Sequence, residues 1–86
     1  MTTATIYRAI KAERRYQDVV HGTIEENPHT VGEWLLIMES ELNEAKRAWV
    51  KGKGDAGALE EILQVVATGV ACMETHGVVT RPQVTP

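Results

Sequence analysis

The stretch Ile62-Leu-Gln-Val-Val-Ala-Thr-Gly-Val-Ala-Cys-Met73 decides the fold, because it is apolar nearly all round when it is wound into a helix. A helix of this kind must be buried on several sides. The remainder of an 86-residue chain supplies too few helices to cover it. We therefore expect a partner subunit, and the economical arrangement is a homodimer in which two helical hairpins complete a four-helix core.

Capping residues and glycines mark the limits of this helix and of the helix before it. Asp55 is its predicted N-cap, and Gly77 follows its predicted end at His76. A second helix is expected to begin with the capping box Thr30-Val-Gly-Glu33 and to run to about Lys51, just before the loop glycines. The two helices are therefore expected to form a hairpin.

The rest of the chain predicts one more helix and a tail. From about Thr5 to Val20, apolar residues recur on one stripe among charged residues, as in a surface helix. No segment shows strict alternation of apolar and polar residues, so the predicted fold class is all-α, with a three-helix protomer. We expect residues 1–77 to form a single helical domain, and residues 78–86, which contain two prolines, to form an extended C-terminal tail.

Composition argues against several classes of protein. The net charge of −3 is not that of a nucleic-acid-binding surface. The longest apolar run, Val65 to Met73, is too short to span a bilayer, so no membrane partner is expected. Cys72 is the single cysteine, which rules out an internal disulfide, and the first residues lack the features of a signal peptide. A cytoplasmic location is therefore expected.

Two short acidic motifs lie on either side of the predicted loop. They are Glu41-Leu-Asn-Glu44 and Glu60-Glu61-Ile-Leu-Gln64. Residues at i and i+3 share a helix face, and a rise of about 1.5 Å per residue places Glu44 level with Glu61, and Glu41 level with Gln64. Like charges that face each other repel unless a cation lies between them, and Mg²⁺ prefers oxygen ligands. The motifs thus predict a metal site on Glu41, Glu44, Glu61 and Gln64.

The spacing fixes matching heights but does not show that the side chains face each other. Acidic residues on helices more commonly form a solvated face. Here they would pair with Lys46, Arg47 or Lys51 on the surface, each pair contributing only about 0.2–0.5 kcal/mol.

The two motifs resemble the signature of the MazG-like all-α nucleoside triphosphate pyrophosphohydrolases. That signature is Glu-Glu-x-x-Glu on one helix and Glu-x-x-Asp on the next, and the likeness extends over about residues 34–74. The segments His29-Thr-Val-Gly-Glu-Trp34 and Glu61-Ile-Leu-Gln-Val-Val-Ala67 are similar to those of small phage and bacterial proteins of this type. The resemblance implies homodimers or dimers of dimers that use Mg²⁺, with Mn²⁺ as an alternative, to cleave nucleoside triphosphates to the monophosphate and pyrophosphate.

This chain departs from the family pattern at two positions. Ser40 stands where the first Glu is expected, and Gln64 stands where Asp is expected. The carbonyl oxygen of Gln64 can still bind Mg²⁺, but one negative charge is lost. The remaining carboxylates suffice for one metal ion, while a second ion and efficient catalysis are put in doubt. Glu44 is our candidate for the catalytic base.

Three further residues are candidates for binding the substrate. Trp34 lies on the Glu41 side of the second helix and is placed to stack on a nucleobase, although most tryptophans are simply core residues. Lys51 and Lys53 flank the loop and would neutralise phosphate oxygens. Their alternative role is to favour the negative C-terminal end of the helix dipole.

Two other functions remain open at this point. One is a binding module on the same helical fold that holds a nucleotide or a metal ion without hydrolysing it, which would agree with Gln64. The other is a helical interaction protein whose acidic residues only decorate its surface. A scaffold of that second kind binds neither Mg²⁺ nor nucleotides.

Overall fold

A computed structural model describes residues 1–82, and helices account for most of them. They are α1 (Thr3–His21), α2 (Val31–Ala48) and α3 (Gly54–His76), with a five-residue connection, Trp49–Lys53, between the last two. No strand occurs in these residues. The all-α class is thus confirmed for the described part of the chain.

Helix α2 begins at the capping box that the sequence predicts. The hydroxyl of Thr30 accepts a hydrogen bond from the Glu33 amide at 3.1 Å, and the Glu33 carboxylate accepts one from the Thr30 amide at 2.8 Å. These bonds satisfy two of the amides that a helix start leaves without an intrahelical partner. The predicted end of α3 is also confirmed, since Gly77 follows His76 with a φ of 89°, where a glycine is favoured.

The hairpin turn differs from the expectation at both of its ends. Regular α-helix stops at Ala48 rather than near Lys51, because the chain widens into a π-type turn before it reverses at Gly52, which has a φ of 92°. Asp55 is not the N-cap of α3, because the helix already begins at Gly54. Asp55 lies in the first turn and instead accepts a hydrogen bond from Trp49 Nε1 at 2.9 Å.

Helix α3 is the central element, since α2 and α1 both pack against it but not against each other. The α2–α3 contact is close at Gly69, where an added Cβ would lie 3.4 Å from Met38 Cε. Helix α1 docks through polar groups. Gln17 Nε2 donates to the Gln64 carbonyl at 3.3 Å and to the Thr68 hydroxyl at 3.2 Å.

Arg14 is the charged part of the α1–α3 contact. Its residue exposure is only 7 %, and its Nε donates to Glu74 Oε1 at 2.7 Å. Its Nη1 lies 3.1 Å from Asp18 Oδ1, one turn further along α1. A guanidinium held by two carboxylates in this way ties the first helix to the third.

The buried apolar residues are few and mostly small. They are Trp34, Ala45, Ala67 and Ala71. By contrast, α2 and α3 each carry a row of apolar side chains at spacings of three, four or seven residues that are between 41 % and 63 % exposed. We call these residues the apolar seam: Val31, Leu35 and Leu42 on α2, Trp49 directly after α2, and Leu59, Ile62, Val66 and Met73 on α3. One protomer therefore leaves much of its apolar surface uncovered.

The predicted tail is described only in part. Residues 78–82 have no regular structure and are exposed, whereas residues 83–86 of the predicted tail lie outside the described residues. By length and composition alone, the helical stretch Val31–His76 contains a window apolar enough to cross a membrane. The mean hydropathy of that window is 1.4. The core helix of a soluble protein passes the same test.

The Arg14 contact predicts a measurable contribution to stability. We expect Arg14→Ala to lower the free energy of unfolding by about 1–3 kcal/mol, because the Glu74 and Asp18 carboxylates lose a charged donor. Glu74 is partly exposed, which places the effect toward the lower end. The measurement is urea unfolding at fixed protein concentration. Arg15→Ala is the control, since Arg15 is exposed on the same helix and should change the value by less than about 0.5 kcal/mol.

Candidate functional site

The structure places Glu41 within electrostatic range of two other predicted acidic residues, Glu44 and Glu61. Glu41 on α2 is half-buried, and burial raises the pKa of its carboxyl group. The negative charges of Glu44 and Glu61 raise this pKa further, while the nearby Thr68 hydroxyl lowers it. The charge of Glu61 on α3 thus acts on Glu41 on α2, across the contact between the two helices.

Two oxygens of this cluster are buried without a partner. Within residues 1–82, Glu41 Oε1 and Glu61 Oε2 are buried and accept no hydrogen bond. Burying a carboxylate oxygen away from water without a new hydrogen bond costs free energy. A proton or a bound cation would satisfy it, and the raised pKa of Glu41 expresses the same tendency.

The other two predicted ligands lie nearby but differ in character. Glu44 is exposed and lies about one helical turn from Glu41 on α2. Gln64 is half-buried, and its main-chain carbonyl is used by Gln17. As the side chains stand in the described part of the chain, no three His, Cys, Asp or Glu residues form a group that could hold a metal ion.

A cavity of about 240 Å³ adjoins the acidic cluster. It exists because α1 and α2 both pack on α3 but stand apart from each other, which leaves a gap above the middle of α3. The α1–α2 loop closes one end, and Asn27 Nδ2 donates to the His21 carbonyl at 2.8 Å within that loop. Glu41 lines this cavity and also belongs to the acidic cluster, so the two features are continuous.

Trp34 lies in the wall of the cavity, on the Glu41 side of α2, as the sequence predicts. The residue is only 8 % exposed, and its indole Nε1 has no hydrogen-bond partner within the described residues. The ring of His29 packs against it, with the two ring centroids 4.8 Å apart and the planes at 82°. His29 is itself anchored, since its carbonyl oxygen lies 2.8 Å from His76 Nε2 at the end of α3.

Lys51 and Lys53 lie away from the cavity. Both are exposed in the hairpin turn. Seventeen residues separate Trp34 from Lys51, which corresponds to about 25 Å along a helix. The acidic cluster lies between these two positions, with Glu44 about 10 Å from the turn.

Sequence reasoning missed the contribution of α1 to the cavity wall. Arg14, Gln17, Asp18 and His21 all line it. Their spacing of three, four and seven residues places them on one face of α1, which was the available signal. The sequence alone could not indicate which helix this polar face would meet.

The chain has no match among models of known protein families, among curated proteins or among solved structures. The likeness to MazG-like enzymes therefore remains a resemblance of sequence, carried by Glu41-x-x-Glu44 and Glu61-x-x-Gln64. Any functional argument must use these residues and the geometry around them.

The raised pKa of Glu41 predicts how Glu41→Gln changes thermal stability as pH varies, and predicts that Mg²⁺ reverses the direction of this change. The folded state holds the Glu41 proton more tightly than the unfolded state, so this contribution is present below the ordinary pKa and is lost as pH rises through the folded pKa. In metal-free buffer we expect Glu41→Gln to unfold at a higher temperature than the wild type at about pH 7, with the difference shrinking toward about pH 4.

Thermal unfolding of both proteins across this pH range, with and without Mg²⁺, is the measurement. Saturating Mg²⁺ should reverse the order, because only the wild type keeps all three carboxylates. Glu39→Gln is the matched control, since Glu39 is exposed on the same helix. Equal responses in the Glu39 and Glu41 variants would contradict the assignment.

Proposed function

We propose that this protein is an Mg²⁺-dependent nucleoside triphosphate pyrophosphohydrolase, which cleaves the α–β anhydride bond and releases a nucleoside monophosphate and pyrophosphate. The observation that carries the proposal is the pair of buried, unpartnered oxygens on Glu41 and Glu61, within charge range of each other. The resemblance of the two acidic motifs to MazG-like enzymes supplies the reaction class.

The donor set fits a hard divalent cation. Glu41, Glu44 and Glu61 offer carboxylate oxygens, and Gln64 offers an amide carbonyl. Glu41 and Glu61 already have desolvated oxygens, and exposed Glu44 can turn toward them at little cost. When bound, Mg²⁺, or Mn²⁺ in its place, would offset phosphate charge and lower the pKa of a water molecule.

The residues of the chain then divide the remaining work. Glu44 accepts a proton from the water that attacks phosphorus, because it is the most exposed carboxylate of the three and the freest to move. Trp34 contacts the base in the cavity. The triphosphate runs from Glu41 along the hairpin toward the turn, where Lys51 and Lys53 neutralise its oxygens. The order of these residues along α2 supports that direction.

We also propose that the functional unit is a homodimer, or a dimer of dimers, formed through the apolar seam. Along α2 and into the hairpin turn, Val31, Leu35, Leu42 and Trp49 fall at the spacing of a coiled-coil seam when Met38 and Ala45 are counted between them. Pairing two such hairpins would complete a four-helix core from three-helix protomers and cover surface that one copy leaves exposed.

A cytoplasmic location is part of the same proposal. The half-buried thiol of Cys72 is free, and a reducing compartment keeps it so. Nucleoside triphosphates are the expected partners there, and neither nucleic acid nor membrane is required by the proposed reaction.

A non-hydrolysing binding module is the second candidate, and Gln64 favours it. An amide at this position removes one negative charge from the set that the family resemblance implies. A site with less charge would still hold a cation and a nucleotide, but would stabilise a reactive arrangement less well.

The proposed reaction predicts Mg²⁺-dependent pyrophosphate release from a panel of ribo- and deoxyribonucleoside triphosphates. Glu41→Ala and Glu44→Ala should abolish this release while leaving helicity, measured by circular dichroism, unchanged, because each removes a ligand or the base. Glu39→Ala is the matched control and should retain activity. Full activity in either site variant would exclude its assigned role.

A folded wild-type protein that releases no pyrophosphate would favour the binding module. In that case calorimetry should still detect Mg²⁺ and nucleotide binding, whereas a plain scaffold would bind neither. Gln64→Asp should then bind Mg²⁺ more tightly and gain turnover, because it supplies the missing charge.

The dimer predicts a solution mass of twice the 9.5 kDa protomer, or four times that value for a dimer of dimers. Leu35→Glu combined with Leu42→Glu should shift the protein toward the monomer, because two charges would have to be buried in the seam. Val19→Glu is the control, since Val19 is 86 % exposed on α1. Analytical ultracentrifugation of the three proteins measures the masses, and a wild-type monomer would contradict the proposal.

A further inference from the structure

The cavity contains an unusual concentration of unsatisfied polar groups. Within residues 1–82, the buried side-chain atoms that lack a hydrogen bond are Asp18 Oδ1, Trp34 Nε1, Glu41 Oε1 and Glu61 Oε2. The first three belong to residues that line this one cavity. Asp18 Oδ1 has an ion-pair partner in Arg14, whereas Trp34 Nε1 has no partner of either kind. Buried polar groups in folded proteins are generally paired, so an unpaired donor in the wall of a cavity indicates a ligand that pairs it.

Trp34 is poorly placed to act as a stacking platform. More than nine-tenths of the residue is buried, and the His29 ring already packs against it at 4.8 Å. The indole N–H group has no hydrogen-bond partner within residues 1–82, and it can act only as a donor. Trp34 therefore contributes a buried donor to the wall of the cavity rather than an open aromatic face.

Asp18 supplies the complementary group from α1. Its Oδ1 lies 3.1 Å from Arg14 Nη1, and this ion pair holds the carboxylate in place. The atom is buried and lacks a bond of good geometry, so it retains capacity to accept. Arg14 in turn is fixed by Glu74 on α3, which makes it a positioning residue for Asp18.

The volume limits what can enter. A cavity of about 240 Å³ is smaller than the range of about 300–1,000 Å³ that is usual for whole drug-sized ligands. A single heterocyclic ring suits it, with any larger substituents leaving toward Glu41 and the acidic cluster. The walls contain apolar surface as well, from Ile24, Ile37 and Ala71.

We infer that the cavity binds the nucleobase edge-on, with Trp34 Nε1–H donating to a ring nitrogen or carbonyl oxygen of the base and Asp18 accepting from a base N–H or amino group. This inference rests on the proposed function, because the ligand is taken to be a nucleotide. It replaces stacking on Trp34 with recognition by hydrogen bonds, which depend on base identity as stacking does not.

The decisive measurement is the indole N–H resonance of Trp34 in ¹⁵N-labelled Trp49→Phe protein, which contains no other indole. The ligands are the four common ribonucleoside monophosphates, which have no α–β bond to cleave. A hydrogen bond from the indole should move its proton resonance downfield as the preferred nucleotide is added. An upfield shift, which a stacked base causes through its ring current, would overturn the inference.

Affinities measured by calorimetry provide an independent readout. Trp34→Phe keeps an aromatic ring but removes the N–H, so we expect about tenfold weaker binding of the preferred monophosphate, which corresponds to about 1.4 kcal/mol. Trp49→Phe is the matched control and should bind as the wild type does, because Trp49 lies in the hairpin turn. Asp18→Ala should also weaken binding, and Asp18→Asn should weaken it less, because the amide keeps an acceptor.

The outcomes separate this inference from the proposed function. Unchanged affinity in folded Trp34→Phe, or no binding of any monophosphate by a wild type that releases pyrophosphate, would overturn the inference alone. A downfield shift and a weakened Trp34→Phe in a protein that releases no pyrophosphate would support the inference and exclude the enzyme. Circular dichroism and thermal unfolding identify any variant that fails to fold. If Trp34→Phe is such a variant, the inference is decided by the indole resonance shift in the Trp49→Phe protein, which retains Trp34.

Discussion

The small side chains of α3 are the constraint on which the rest of this structure depends. Ala67, Thr68 and Ala71 are buried in the middle of the helix, where larger residues would hold its neighbours away. Helices α1 and α2 can therefore approach α3 from two directions without meeting each other. The gap that remains between them is the cavity, and the uncovered side of the hairpin is the apolar seam. Both features follow from one helix that is packed closely but incompletely.

A second consequence is that carboxylates enter a partly buried position. Glu41 lines the same cavity as Trp34, because the two residues are seven apart and lie on one helix face about two turns from each other. Burying an acid beside two others opposes folding, which the raised pKa of Glu41 reflects. Proteins keep such arrangements where a charged ligand relieves them, and this is why the acidic cluster is more informative than an exposed one would be.

Local signals in the sequence were sufficient wherever the interaction was itself local. The capping box at Thr30 and the end of α3 at Gly77 involve residues within one turn, and both could be predicted. Helix rise and the short turn between the helices were also enough to predict that Glu44 is level with Glu61 and Glu41 with Gln64. Asp55 was assigned wrongly because its competing partner, Trp49, comes from the preceding element. The capping rule contains no information about such a contact.

The contribution of α1 to the cavity wall could not be predicted from the sequence, for a related reason. Its docking depends on Arg14 meeting Glu74, a partner sixty residues away, and on Gln17 reaching main chain and hydroxyl oxygens of α3. Polar residues on one helix face predict a solvated surface unless their partners are known. The cavity therefore could not be predicted, although Trp34 and Glu41 on its α2 side could be placed together by helical spacing.

Helix α2 carries its part of the apolar seam and its part of the cavity wall on different sides. Leu35 follows Trp34 by one residue and Leu42 follows Glu41 by one residue, so the seam is rotated by about 100° from the side that lines the cavity. A second copy that packed on the seam would leave the cavity and the acidic cluster accessible. It would also stiffen α2 and α3, whose own buried contacts are few. The proposed dimer and the proposed ligand site would thus use the same hairpin without competing for the same surface.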